Sequence, residues 1–399
     1  MNRKDRRSKQ QSIRPNSLSS TALTDRRSLL KAAGALGLTG LTSALTPGGR
    51  RFASAHSSHQ DAAGSPAPGP QEDGSNLWRV QVGGMDMENH LDLQAFFPGE
   101  ITINAGDQIW FAEGMPGFHS VYFGYGAEPE PIFLPDPDVA SPAAGPPPLV
   151  LNPAVIMPTE NMTVDGTTPV NTGVDIFWDP TVPTILSFPT PGTYDYLCIP
   201  HQGVMRATVI VQEAGSELPM DQAAYDALAQ EQMAALIEEG LGAAAEYAQA
   251  TAEEQADGTT LWTATAGAGE GQARVMKFLP NPLEIKVGDS VKWIHQSPGE
   301  PHTITFVGEG EVPPEDLMPG TFADGSPKFA INPLTFLPQG GNTWDGTGYL
   351  NSGYMGIPEV GLPTEFTATF TAPGEFIYYC ILHGDAEGGG MAATLRVVE

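Results

Sequence analysis

Two short strings in this chain carry metal-binding chemistry: Cys198-Ile199-Pro200-His201 and Cys380-Ile381-Leu382-His383. They contain both cysteines of the 399-residue sequence. Each is followed by a methionine, Met205 or Met391, where a new strand-like segment begins. Each is preceded far upstream by a histidine in strand-like sequence, His119 or His302. Each set therefore offers two imidazoles, one thiolate and one thioether. Thiolate and thioether are soft donors that hold Cu(I), and imidazole also accepts Cu(II), so the set suits a trigonal His₂Cys copper site with a weak axial methionine. A cage acceptable to both oxidation states rearranges little when one electron moves.

Such donors must be held by a scaffold, and the sequence writes that scaffold twice. LWRVQV (Leu77–Val82) matches LWTATA (Leu261–Ala266), and ITINAGDQIWF (Ile101–Phe111) matches LEIKVGDSVKWI (Leu283–Ile294). FHSVYFG (Phe118–Gly124) matches PHTITFVG (Pro301–Gly308), and LVLNP (Leu149–Pro153) matches FAINP (Phe329–Pro333). TVDGT (Thr163–Thr167) matches TWDGT (Thr343–Thr347), PGTYDYLCIPH (Pro191–His201) matches PGEFIYYCILH (Pro373–His383), and MRATVIV (Met205–Val211) matches MAATLRV (Met391–Val397). The interval between partners is nearly the same along the whole series, shortest near Asn152 and longest at the methionines. An ordered series at a near-constant offset indicates an internal duplication.

Both copies read as β structure. Trp78 to Val82 alternates apolar and polar residues, and Gly106-Asp107, Gly288-Asp289, Pro191-Gly192 and Pro373-Gly374 are turn signals placed directly before strands. The expected fold class is all-β, with two tandem Greek-key β-sandwiches at residues 76–213 and 259–399. Residues 214–258 differ in kind. From Asp221 to Gln255 the chain is rich in Ala, Glu and Gln, with Tyr225, Leu228, Met233, Leu236, Ile237 and Leu241 at helical spacing. This predicts a helical connector capped by Asp221, packed by its apolar stripe on a sandwich, and broken or kinked at Gly240 and Gly242.

On the Cys-x-x-His…Met loops and the upstream Gly-Asp…His segments, both copies resemble cupredoxins, the blue copper proteins of the plastocyanin and azurin family. The resemblance covers both predicted sandwiches from end to end. It implies a Greek-key copper-binding sandwich that shuttles electrons. The implied ligands are His119, Cys198, His201 and Met205 in the first copy, and His302, Cys380, His383 and Met391 in the second. Two copper ions cycling between Cu(I) and Cu(II) follow, with no catalytic residue.

The chain departs from that pattern in two places. The stretch from the upstream histidine to the cysteine is long, His119 to Cys198 and His302 to Cys380, and carries a Pro-rich loop in each copy, including Glu128–Pro148. Such a loop could cover the site or present a surface to a partner. Three residues separate histidine from methionine in the first copy and seven in the second, where Asp385 to Gly390 form an acidic, glycine-rich insertion. Glu387 or a carbonyl oxygen is therefore an alternative to Met391, and either methionine has an alternative as a core residue. A disulfide between Cys198 and Cys380, or zinc in place of copper, are the competing readings of the donor sets. Ser120 and Thr303, each next to a ligand histidine, are candidates to support the site. His90 and His295, with no counterparts in the other copy, read as surface residues.

Charge and leader bound the function. The net charge of −28 repels phosphate backbones, which argues against nucleic-acid binding. Residues 1–55 hold eleven of the nineteen basic residues. Within them TDRRSLLK, an apolar run and Ala53-Ser54-Ala55 resemble a twin-arginine export signal with Arg26 and Arg27 as its pair. Residues 56–75, with His56 and His59, read as a flexible tether. The expected location is periplasmic, extracellular or at the cell surface, with no stable membrane span after signal cleavage. The expected function is electron transfer to a basic redox partner such as a cytochrome. Copper storage or delivery without redox cycling is the alternative. A copper oxidoreductase subunit is a weaker one, because the sequence has no His-x-His pair and no histidine beside either cysteine.

Overall fold

The computed structural model describes residues 66–399 except 115–116, 141–146, 175–176, 178–181 and 358–360. The export leader, with Arg26 and Arg27, and the tether histidines His56 and His59 lie outside the described residues. Among those described, no helix is long and apolar enough to cross a membrane.

The architecture is all-β. In the first half the main strands are β1 (Asn76–Asp86), β2 (Leu91–Phe97), β3 (Glu100–Asn104), β4 (Gln108–Glu113), β5 (Tyr122–Phe123), β6 (Leu149–Leu151), β7 (Thr184–Ser187), β8 (Gly192–Leu197) and β9 (Arg206–Gln212). Helix α1 (Gln222–Glu246) follows. The second half contains β10 (Thr260–Ala268), β11 (Ala273–Leu279), β12 (Leu283–Lys286), β13 (Ser290–Gln296), β14 (Thr305–Val307), β15 (Pro327–Ile331), β16 (Tyr349–Asn351), β17 (Glu365–Phe370), β18 (Gly374–Gly384) and β19 (Gly390–Val398).

The first half packs a β7-β4-β1-β2 layer on a β3-β9-β8-β5 layer, and the second half packs β11-β10-β13-β17 on β12-β19-β18-β14-β16. In both, the first strand runs parallel to a partner one hairpin removed: β1 with β4, and β10 with β13. The other layers repeat this, with β3 parallel to β9 and β12 parallel to β19. Alternation sets the inward faces. In β9 the side chains of Ala207, Val209 and Val211 are buried, and in β13 those of Val291, Trp293 and His295. One core gathers Trp78, Phe96, Phe111, Phe123 and Tyr196, and the other Phe278, Trp293, Phe306, Phe370 and Tyr378.

The Gly-Asp turns are structural clamps. Buried Asp107 accepts from the Asn76 and Asn104 backbone N–H groups and from the Trp78 indole (2.8, 3.0 and 2.9 Å). Asp289 does the same for Thr260, Lys286 and Trp262 (2.8, 3.0 and 3.1 Å). Each carboxylate thereby ties the start of one strand to the turn that begins another.

The halves are joined by more than a connector. β2 pairs antiparallel with β11, which fuses the two layers into one eleven-stranded sheet. Asp92 lies opposite Arg274, and the two are as far apart in sequence as the matched residues Ile101 and Leu283. β6 pairs with β15, where Val150 lies opposite Ala330, its own partner in the match of LVLNP with FAINP. Strands thus pair with their own counterparts, as elements arranged about an approximate two-fold axis do. The second junction lies in the long Pro-rich segments. With Phe133–Pro135 and Leu317–Thr321, β6 and β15 make a four-stranded sheet across the halves.

Helix α1 differs from its expectation. Asp221 caps it, accepting from Ala224 N at 2.9 Å. It runs unbroken through Gly240 and Gly242 and ends at Glu246, after which Thr251–Glu254 forms a strand on β10. Gly240 is buried against Leu91, where a Cβ would press into the Leu91 methyl groups, so this glycine serves close packing rather than a break. Ala229, Met233, Leu236 and Ile237 share a cluster with Leu91, Leu93, Ala273 and Val275, while Leu241 is exposed. The helix covers the β2–β11 seam, which belongs to both halves.

Candidate functional site

Each half brings its three strong donors to one end of its sandwich. Cys198 follows the last residue of β8, His201 sits in the next turn, and Met205 leads into β9. The turn is closed by Met205 N donating to the His201 carbonyl (2.9 Å) and Cys198 N donating to the Met205 carbonyl (3.0 Å). His119 lies in the coil before β5 rather than within a strand, and His302 makes only an isolated bridge with Met355. In the second half Cys380 and His383 lie within β18.

The donor atoms form two triangles. In the first, Cys198 Sγ stands 3.9 Å from His119 Nδ1 and 3.5 Å from His201 Nδ1, and the two nitrogens are 3.2 Å apart. In the second, Cys380 Sγ stands 3.9 Å from His302 Nδ1 and 3.4 Å from His383 Nδ1, again with 3.2 Å between nitrogens. A point in either plane equidistant from the three donors lies about 2.1 Å from each, which matches first-row metal bonds to nitrogen and sulfur. Both cysteines are free and buried, so the disulfide reading is excluded. These are the two His/Cys/carboxylate groups among the described residues compact enough to hold an ion.

Ser120 and Thr303 fix the sulfurs. Ser120 N donates to Cys198 Sγ (3.4 Å), and Ile199 N donates to Ser120 Oγ (2.9 Å). Thr303 N donates to Cys380 Sγ (3.3 Å), and Ile381 N donates to Thr303 Oγ1 (2.9 Å). The residue after the upstream histidine thus ties the two segments of each triangle together. Met205 and Met391 are buried in the same core clusters as Cys198 and Cys380, respectively. Glu387 is exposed, and the insertion around it closes on itself, with Asp385 Oδ1 accepting from the Glu387 and Gly389 N–H groups (3.0 and 2.8 Å).

A glycine bulge backs the upstream histidine in each half. Gly83 (φ 65°) and Gly267 (φ 68°) sit where the β1–β2 and β10–β11 registers shift. A Cβ at either would collide with the Nε2 edge of His119 or His302. Only glycine both adopts this backbone and leaves room for the ring.

Electrostatics divide each triangle. Burial and the neighbouring His201 hold His119 neutral, with its pKa lowered to about 3, and His302 is lowered by burial and its own neighbour His383. His201 and His383 are raised despite burial, because the thiol sulfur and Glu300 favour their charged forms; His383 reaches about 10. A metal ion at either triangle would replace that positive charge.

The residue that sequence reasoning missed is Glu300. Its Oε2 is 3.2 Å from His201 Nε2 and its Oε1 is 3.0 Å from His383 Nε2, so one carboxylate joins both triangles. Burial opposes its charge, but the two imidazoles hold its pKa well below the usual carboxylate range. Gln94, from the first half, donates to Oε2 at 2.6 Å, and Arg274 Nε donates to Gln94 Oε1 at 3.2 Å. His295 is a correction. It is buried, not on the surface: its ring packs 5.2 Å from that of His302, and its Nε2 meets the Glu300 carbonyl at 2.8 Å. The alternation Val291, Trp293, His295 carried that signal.

No family model matches the chain. Among solved structures it is similar to an oxidised mutant amicyanin, at 18% identity over 37% of this chain and 94% of that one, with a TM-score of 0.20. A Cu(I) mutant amicyanin aligns at 21% identity over 39% and 89%, with a TM-score of 0.19. Pseudoazurin from Hyphomicrobium denitrificans aligns at 18% identity over 34% and 74%, with a TM-score of 0.19.

Proposed function

We propose that this chain is an exported copper-binding electron-transfer protein with two type 1 centres, one in each of two tandem cupredoxin-like domains. The observation that carries the reading is the repeated Nδ1, Nδ1, Sγ triangle, sized for a metal ion in both halves and buried except at His383, which is half-buried. Copper, when bound, supplies a reversible one-electron change. The chain supplies the rest. His119, Cys198 and His201 would hold one ion and His302, Cys380 and His383 the other, with Met205 and Met391 as the thioether each set offers. Backbone N–H groups donating to both sulfurs keep the donors in place. Burial favours this reading over delivery, since handing over an ion requires an open donor, whereas Cys198 and Cys380 are each 0% exposed. The acidic composition, at a net charge of −28, suits a basic redox partner such as a cytochrome.

The test is copper loading followed by absorption spectroscopy. Two ions per chain and an intense visible thiolate-to-copper band that bleaches reversibly on reduction are expected. Colourless binding, or rapid loss of copper to a mild chelator, would replace electron transfer with storage or delivery.

A further inference from the structure

Glu300 occupies a position with no counterpart in the first half. Counting back two residues from each upstream histidine gives Glu300 before His302 but Gly117 before His119. One carboxylate therefore serves an approximately two-fold arrangement, and its two oxygens divide between the halves: Oε2 to His201, Oε1 to His383. Both imidazoles present Nδ1 to their own triangle and Nε2 to Glu300. The two donor sets are thus connected by two hydrogen bonds and the three atoms of a single carboxylate.

The residue is held rigidly for this. Its backbone N–H donates to the Ser297 carbonyl (3.0 Å), its carbonyl meets His295 Nε2, and Gln94 reaches its side chain from β2 across the seam. Glu300 is 6% exposed. Burying a carboxylate is costly unless charge-assisted hydrogen bonds repay it, and here the metal-site imidazoles are the groups that do so. A purely structural seam needs no such group: the neighbouring β2–β11 pairing and its apolar cluster under α1 already join the halves.

We propose that Glu300 is the bridge through which the two centres exchange an electron inside one molecule, making the pair a single two-electron unit. This rests on the copper reading above. In the exchange, the ion in one triangle gives up one electron and goes from Cu(I) to Cu(II), and the ion in the other accepts it and goes from Cu(II) to Cu(I). Glu300 remains a carboxylate throughout, and its two hydrogen bonds change only in strength. No proton and no third redox agent enters. His383 is the more open of the two bridged imidazoles, with its side chain 21% exposed against 7% for His201, so the second centre is where an external redox partner exchanges an electron with the pair.

The experiment compares the wild-type chain with Glu300→Gln, which keeps the shape of the side chain but turns one acceptor into a donor. Copper content and the visible band come first. If neither protein shows two such centres, the copper reading fails, and the bridge fails with it for a different reason. With both centres present, a photoexcited flavin injects less than one electron per molecule. Cys198→Ser and Cys380→Ser supply the separate spectra. The wild type should show a first-order redistribution independent of protein concentration, absent from both single-centre variants and slowed at least tenfold in Glu300→Gln. In the metal-free protein, the ring Nε2–H resonances of His201 and His383 should both lie downfield and both move in Glu300→Gln. Redistribution at the wild-type rate in Glu300→Gln, a rate proportional to concentration, or no redistribution in the wild type overturns the proposal. So do ring resonances that ignore the substitution.

Discussion

The two donor triangles match edge by edge, at 3.9, 3.5 and 3.2 Å in the first and 3.9, 3.4 and 3.2 Å in the second, yet what stands behind them differs. Behind His119, the Asp92 carboxylate lies 4.0 Å from Nε2. On the facing strand, the position opposite Asp92 holds Arg274, whose guanidinium turns to Gln94 and the Gly269 carbonyl. A cation cannot accept a hydrogen bond, and His302 Nε2 is buried with no partner. His295, opposite Ala266, packs on His302, whereas the matching register position of the first half, opposite Val82, holds Glu113. The inner geometry was thus kept while the charge around it was changed. Coordination at the two centres should be alike, and their redox behaviour should differ.

The largest test of that comparison removes a sulfur. Cys198→Ser and Cys380→Ser should each lose one copper and about half of the visible absorbance, leaving the other band intact. Unequal loss would show that one triangle is not a blue centre.

The bulge glycines come next, because they support equivalent histidines. Gly83→Ala should disable the first centre and Gly267→Ala the second. A left-handed alanine costs about 1 kcal/mol from the backbone alone, and displacing the buried ring raises the total to about 2–3 kcal/mol. Thermal melting of the metal-free variants, with copper counts after loading, checks both. Full occupancy in either variant would mean that the ring can shift without loss of the site.

The charge difference gives a subtler effect. A positive group near His302 disfavours the cupric state, so the second centre should have the higher reduction potential. Arg274→Gln should lower that potential by on the order of 1 kcal/mol or less and move the first centre less. Spectrally resolved redox titration measures both. Equal shifts would show that Gln94 and Glu300 spread the charge over the pair.

These contrasts also separate what is legible in the sequence from what is not. The donors are readable because Cys-x-x-His followed by Met is local, and because the pattern occurs twice. The supports Ser120 and Thr303 are visible for the same reason, each adjoining a ligand. Glu300 is not, because its partners His201 and His383 lie far away along the chain in opposite directions, one reached by strand pairing inside the second half and the other across the seam between the halves. His295 is readable from the β13 alternation, whereas the lack of a histidine counterpart points wrongly to the surface. Gly240 shows helix propensity overridden by a close contact with Leu91. The shared sheet has no local signal either, since a strand pairing with its own counterpart reads like any other edge strand.

The outer seam offers the smallest effect and the clearest dependence on acid. Lys328 Nζ, on β15, bridges Asp136 (2.6 Å) and Asp138 (3.1 Å) from the first half. Burial pushes the Asp136 carboxyl up, but the Lys328 hydrogen bond and the Asp138 backbone N–H pull it lower still, to a net value below 3.8. A carboxyl depressed on folding contributes stability above its unfolded value, and that contribution is lost as pH falls through the folded one. Lys328, raised on folding, contributes below its unfolded value near 10.5 and loses it as pH rises further. The link is therefore intact from about pH 4 to about pH 10. Lys328→Met should lower the melting temperature of the metal-free protein by a few degrees at pH 7 and leave the visible band of the loaded protein unchanged. As the pH falls through the lowered Asp136 value the two melting curves should converge, because the wild type loses the same interaction by protonation. A constant gap between the curves at every pH would assign the lysine's effect to its packing over the Phe322 ring, 5.5 Å away, instead of to charge.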